Sequence, residues 1–476
     1  MKYLIKNIFN TTENKYILFF LLFSPIFFNY FFRLLPREER NLSLYNPDFI
    51  NLFLGLLFFS YLFFIGLQIK KSLNLSNISI AIVLYLLSFF IFDTYFLFIT
   101  KYFDLVYLFF LVNLLWLFLF LYKGEVKNLE LVLFLLAVFA FREIGFQYFI
   151  NNFELSPLTY TVPDETDVWL PATKNIYENN YFIGQEKQTS HSGYGLLISY
   201  VNSISTYIFS KSALYTYFPF IKNVFYFLTL FFIYEIKGTK KSKFFLSILL
   251  TVVILNSHWF RYLFFNSLMM ESGISYFFGV VMYTFMKSKN LFEKHLLSLL
   301  LGFLYFGKQF IAGIALLFLI FLFYKKRINL LSFILGMSGF IMSIINTVFL
   351  NVHLTWINYF RYFTTRSTGE KTYNFENFYK VIQQFLIDKP VTYLLFGFLI
   401  IFLLNYKDNY SENRESILII VFNTALVFLL YVFIWGSENH PAHIGSSYRY
   451  LLNIFHLLIP IFIYTLDNFQ ISRSKK

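Results

Sequence analysis

The sequence predicts an all-α polytopic membrane protein of about 12 to 14 transmembrane helices, with an outer-face loop carrying short amphipathic helices. Three observations carry that reading. The chain has 476 residues, 58% of them hydrophobic and only 14% charged, which is membrane-protein composition. Apolar runs near bilayer-spanning length recur from end to end. Between them, lysines and arginines gather in alternate loops, as they do on the cytoplasmic side of polytopic proteins.

Composition also narrows function. The net charge is +13, but in such a chain the excess belongs to loops that set orientation, so nucleic acid is not an expected partner. The absence of cysteine excludes disulfides, thiolate metal sites and a cysteine nucleophile. The 70 phenylalanines and 37 tyrosines carry no binding inference, because base-composition bias in the gene accounts for them equally well.

Taken in order, apolar runs lie at 17–35, 50–69, 78–99, 103–122 and 129–150. The first reads as a retained helix, since no small-residue cleavage site follows it. Lys70-Lys71 and Lys123 to Lys127 fall on one side, and the mixed-charge Arg37 to Arg40 with lone Lys101 on the other. The N-terminus is therefore expected inside and the polar stretch 151–195 outside. Leu196–Phe209 is short for a crossing and reads as a partial helix; Ala213–Ile236 then returns to the basic Lys237 to Lys243.

Runs at 244–264 and 272–286 form the next pair. The run 295–324 is long for one crossing and is interrupted by Gly307-Lys308-Gln309. A hairpin of two short helices restores parity, with Lys325-Lys326-Arg327 inside; a single tilted helix is the competing reading. The remaining runs, 328–350, 391–406, 417–436 and 451–466, put 351–390 and Glu438 to Arg449 outside and both termini in the cytoplasm. Three divisions follow: an N-terminal four-helix segment at 1–128, a core with its outer loop at 129–350, and a C-terminal outer loop with the last helices at 351–476.

The stretch 151–195 is the chemical centre of the chain. Pro163-Asp164-Glu165-Thr166-Asp167-Val168-Trp169-Leu170-Pro171 puts three carboxylates within four positions. In open water such a cluster does little, and Pro163-Asp164-Glu165 also reads as a helix start. At a membrane surface the same carboxylates can serve as a general base or a cation site.

In order and placement these features resemble the GT-C superfamily of glycosyltransferases, dolichyl-phosphate-mannose mannosyltransferase-like enzymes that use polyprenyl-phosphate-linked sugars. Asp164-Glu165-Thr166-Asp167 resembles the family's acidic loop motif, and Ala172–Tyr181 its amphipathic stretch. His191-Ser192-Gly193-Tyr194-Gly195 stands where members step into the next apolar segment. Asn266 to Glu271 is similar to the second outer loop with its single acid. Leu301 to Lys308 is similar to a glycine-bearing helix ending in lysine, and Tyr448-Arg449-Tyr450-Leu451-Leu452 to the opening of the last helix. The likeness covers about 129–324 and the start of the C-terminal helix, and it implies a GT-C-like core.

The resemblance implies an inverting hexosyltransferase on the outer face of a bacterial inner membrane. A lipid or glycan hydroxyl attacks the anomeric carbon of a polyprenyl-phosphate sugar. Asp167 or Asp164, with Glu165 beside them, takes the proton. Arg449, Lys308, Arg261 and His258 are expected to hold the leaving phosphate, Arg as a fork and Lys as a point charge. Snorkelling to headgroups is the plainer role for Arg449 and Arg261. Glu271 and His191 are supporting residues. A divalent metal, Mg or Mn, on Asp164, Asp167 and Glu271 is one option, and a metal-free site is the other. Arg142-Glu143 reads as a structural pair or a lid, and Asp93 as bonded to neighbouring helices. The alternatives are an O-antigen-type polymerase or ligase, and a lipid-linked-sugar flippase or transporter, which calls for repeats and charges deep in the bundle.

Overall fold

The computed structural model describes residues 49–95, 105–123, 218–257, 271–304, 309–349, 389–404, 406–429 and 454–474, together with eight isolated positions that include Leu197 and Val201. Every regular element among them is an α-helix. Twelve long helices follow one another: α1 Phe49–Leu73, α2 Ile78–Tyr95, α3 Leu105–Lys123, α4 Phe218–Glu235, α5 Lys240–Asn256 and α6 Glu271–Lys287, then α7 Leu291–Phe303, α8 Gln309–Tyr324, α9 Leu330–Phe349, α10 Lys389–Leu404, α11 Tyr406–Leu429 and α12 Phe455–Ser474. The expected helices at 17–35 and 129–150, and most of the partial helix 196–209, lie outside the described residues.

The run 295–324 is a hairpin. α7 and α8 are separate helices, and the Lys294 ammonium at the start of α7 donates to the Arg327 carbonyl just past the end of α8, at 3.1 Å. α11 differs from the apolar run 417–436 that marks it: it begins at Tyr406, well ahead of the apolar residues. Its polar first half is stable as helix because Asn409 and Asn413 are buried with their amides satisfied. The Asn409 Nδ2 donates to the Phe402 carbonyl, Asn413 donates to the Asn409 carbonyl, and Asn468 of α12 donates to the Asn409 Oδ1 at 2.7 Å.

The core is aromatic and aliphatic. Phe59 of α1 packs against Phe227 and Phe231 of α4, and Phe225 of α4 against Tyr276 and Phe277 of α6. Inside this packing the first three helices are tied by a relay of hydroxyls. Tyr85 donates to the Asn113 Oδ1 of α3 at 3.1 Å, which leaves its oxygen to accept from Tyr61 of α1 at 2.8 Å. Helices α7 and α9 approach most closely at glycine: a Cβ on Gly302 would fall onto the Gly336 carbonyl oxygen. At Gly302 only hydrogen allows the backbones to touch, and a Cβ on Gly339 of α9 would in turn come within 2.9 Å of the Gly302 carbonyl carbon.

The outside of the bundle is apolar as well. Phe118, Phe245, Ile320, Ile334, Ile400 and Val421, from six different helices, are all exposed. Over the residues with described side chains, no single helix is both long and apolar enough to cross a membrane. The pair Phe58–Leu73 and Ile78–Phe92, bent by 100°, meets that test jointly.

Candidate functional site

Besides the Tyr61–Tyr85–Asn113 relay, two polar clusters in the described bundle join several helices. The first is the end where α1, α4, α6, α8 and α12 finish and α2, α5, α7, α9 and α11 begin. The leading N–H groups of a helix have no partner within it, and here neighbouring elements supply the acceptors. At α2, Asn77 accepts from the Ile80 N–H at 2.8 Å, while the Glu235 carboxylate from the end of α4 accepts from Ile78 and from Ser79, the latter at 2.7 Å. An anion at a helix start also meets the positive end of the helix dipole.

Two more acids repeat the device. Glu293 of α7 accepts from the Ser76 N–H at 2.7 Å and from the Ser288 hydroxyl. Asp467 of α12 accepts from the Thr239 N–H at 2.9 Å and from its hydroxyl at 2.6 Å, just before α5. Lys243, in the turn ahead of the apolar part of α5, donates to the Tyr234 carbonyl at 2.8 Å. Burial holds its ammonium below the ordinary lysine value, and the nearby Asp467 and Glu235 charges offset part of that. The turns at this end thus form one deck, fastened from within by carboxylates.

The second place is the buried join of α4, α6 and α12. Thr229 donates its hydroxyl to the Phe225 carbonyl at 2.6 Å, so at the His456 Nε2, 2.7 Å away, its oxygen accepts. The imidazole therefore carries its proton on Nε2. Its Nδ1 is then an acceptor, and Ser275 donates to it at 2.8 Å. The Ser275 oxygen in turn accepts the His456 backbone N–H at 3.2 Å. A Cβ on Gly279 would collide with the His456 Cβ, so the glycine is what lets α12 lie this close to α6. Pro460, one turn on, lies inside α12 and cannot donate back to the His456 carbonyl, which loosens the helix there.

Compared with family models, curated proteins and solved structures, the chain matches none. The site is therefore read from its own residues.

Of the residues singled out in the sequence, Asp93 lies in α2 with its side chain outside what is described, and Glu271 has a described backbone position, as the first residue of α6. That places it at the end opposite the deck, one helical turn before Ser275. Asp164, Glu165, Asp167, His191, His258, Arg261, Lys308 and Arg449 lie outside the described residues, as do Arg142 and Glu143. Lys308 is the last of the five residues between α7 and α8, and Arg449 precedes Ile454 by five positions and the start of α12 by six. Among the described residues no three acids or histidines gather as a metal site. Sequence reading passed over His456, Glu235, Glu293 and Asp467. Asn77, Thr239 and Asn290, each directly before a helix that starts at the deck, are helix-capping signals and local cues to it.

Proposed function

We propose that this chain is a polytopic membrane protein and a GT-C-type glycosyltransferase that works on the face opposite the basic deck. The observation that supports it best is polarity of placement. Lys71, Lys241, Lys289, Lys325, Lys326 and Arg327 all stand exposed at the deck, with exposed apolar side chains along the flanks of the bundle. By the charge rule the deck is cytoplasmic. Glu271, and the connections that lead to Lys308 and Arg449, then belong to the extracytoplasmic end, where a polyprenyl-phosphate sugar is presented. α1, with 25 residues, is about 37 Å long at roughly 1.5 Å per residue, comparable to a hydrocarbon core of about 30 Å.

In this reading the acceptor hydroxyl oxygen attacks the anomeric carbon as the bond from that carbon to the lipid phosphate breaks. The phosphate leaves with the electron pair, and Asp167 takes the hydroxyl proton. Arg449 and Lys308 stabilise the charge that grows on the phosphate. Asp167 has no need of unusual basicity, because positioning against the hydroxyl supplies most of the effect. The test is transfer from a panel of radiolabelled polyprenyl-phosphate sugars by membranes carrying the chain. The wild type should label an endogenous lipid or glycan and Asp167→Asn should not. Equal labelling by membranes with and without the chain would end the proposal.

A further inference from the structure

The deck has an outward face as well as an inward one. Of the acids described there, Glu235, Glu293 and Asp467 are turned inward as helix caps, and Glu415 is paired with Arg327. Among the acids there whose side chains are described, Asp408 is exposed and has no cation against it. The cations are left outside: Lys289, Lys325, Lys326 and Lys407 are exposed. The folded chain therefore separates charges that are mixed in the sequence, and the surface field is more positive than the composition of the loops suggests.

One of these lysines stands where its own backbone disfavours it. Lys326 has a φ of 54°, in the left-handed region where glycine is the favoured residue. The turn is a helix C-cap: the Arg327 N–H bonds the Leu322 carbonyl at 3.0 Å and the Lys326 N–H the Phe323 carbonyl at 2.9 Å. A lysine kept in glycine's place adds a cation at the tip of the turn.

Apolar groups flank the same cations. Tyr324 is 78% exposed beside Lys325, and Phe292 and Leu330 are exposed on the neighbouring helix starts. A soluble polyanion would have no use for them, whereas a phospholipid meets both kinds of group at once, phosphate above and acyl chain below. We propose that this end of the bundle is a binding surface for anionic phospholipid headgroups, centred on the α8–α9 turn. The proposal rests on the membrane reading above and not on the sugar-transfer chemistry.

The test compares purified full-length protein in nanodiscs of phosphatidylcholine with nanodiscs that also contain phosphatidylglycerol. Phosphatidylglycerol should raise the Tm, the gain should shrink at high sodium chloride, and lipid extracted after detergent purification should be enriched in the anionic species. The variant carrying Lys289→Gln, Lys325→Gln and Lys326→Gly should lose most of both effects. Its fold is not at risk at position 326, because glycine suits that turn better than lysine. Equal Tm in the two nanodiscs, or a gain unchanged in the variant, overturns the proposal. A gain reproduced by inorganic polyphosphate in phosphatidylcholine nanodiscs also overturns it, in favour of a soluble polyanion. If the chain is instead stripped from membranes by alkaline carbonate, the membrane reading itself fails, which is a separate and visible result.

Discussion

Ser275 of α6 donates its hydroxyl proton to the Nδ1 of His456 in α12 across 2.8 Å, and both side chains are fully buried. The bond sets the register of two helices near the ends that begin at Glu271 and follow Arg449 in the chain. A slip of one residue on either helix would turn one partner into apolar packing and leave the other unpaired.

His456→Phe keeps the ring volume and removes both acceptor and donor. The Ser275 hydroxyl then loses its acceptor, and the Thr229 oxygen loses its donor while its hydroxyl keeps the bond to the Phe225 carbonyl. The expected cost is about 1–3 kcal/mol, read as a lowered Tm in detergent. Pairing it with Ser275→Ala should recover part of the loss, because the orphaned hydroxyl is removed too. A single variant that melts with the wild type would show that the bond contributes no stability.

At the α7–α9 crossing, Gly302→Ala places a methyl on the Gly336 carbonyl and forces the helices apart. Overpacking of this kind costs about 1–3 kcal/mol. Gly313→Ala, with nothing within 4 Å of the added carbon, should be neutral or slightly stabilising, since a helical glycine costs up to about 1 kcal/mol relative to alanine. Thermal melts of the two variants should diverge; similar curves would mean that the close approach at Gly302 does not hold in solution.

Glu293→Gln keeps an acceptor for the Ser76 N–H but loses the charge that meets it and the Ser288 hydroxyl. Glu293→Ala removes all of it. The order of stability should be wild type, then Gln, then Ala, with the alanine variant down by about 1–3 kcal/mol. Protease sensitivity of the 74–77 turn should rise in the same order. An alanine variant as protease-resistant as the wild type would contradict the role of Glu293 as a fastening between turns.

Orientation is measurable, because the chain has no native cysteine. Single cysteines at Lys241, Lys289 and Lys407 should resist an impermeant thiol reagent in intact cells, while ones at Asn180, Gly369 and Asn439 should label. Labelling at Lys241 or Lys289 from outside would invert the topology and move the proposed chemistry to the other face.

Asp167→Asn preserves shape and removes the proton acceptor. Transfer should fall by about 10²–10⁴-fold, the usual range for losing general-base help, with the protein inserted as before. Arg449→Lys should also be costly if its fork holds the phosphate, and nearly silent if it only reaches headgroups. Near-normal transfer by Asp167→Asn membranes would pass the role to Asp164 or Glu271.

Sequence alone determined the helical class, the places of the described helices to within a few residues for most, and the alternation of their ends. These follow from runs of apolar residues and from basic turns, both of which are local properties of the chain. It also marked the carboxylates of 164–167 as chemically unusual, although those lie outside the described residues. The beginning of α11 was not legible, because Asn409 and Asn413 look like loop residues until α12 and the preceding carbonyls satisfy their amides. The same holds for Glu235, Glu293 and Asp467, which nothing in the sequence singles out. Glu235 meets Ile78 across 157 positions, and Asp467 meets Thr239 across 228. Which donor a buried acid or His456 finds depends on how helices far apart in the chain pack together, and only the tertiary structure decides that.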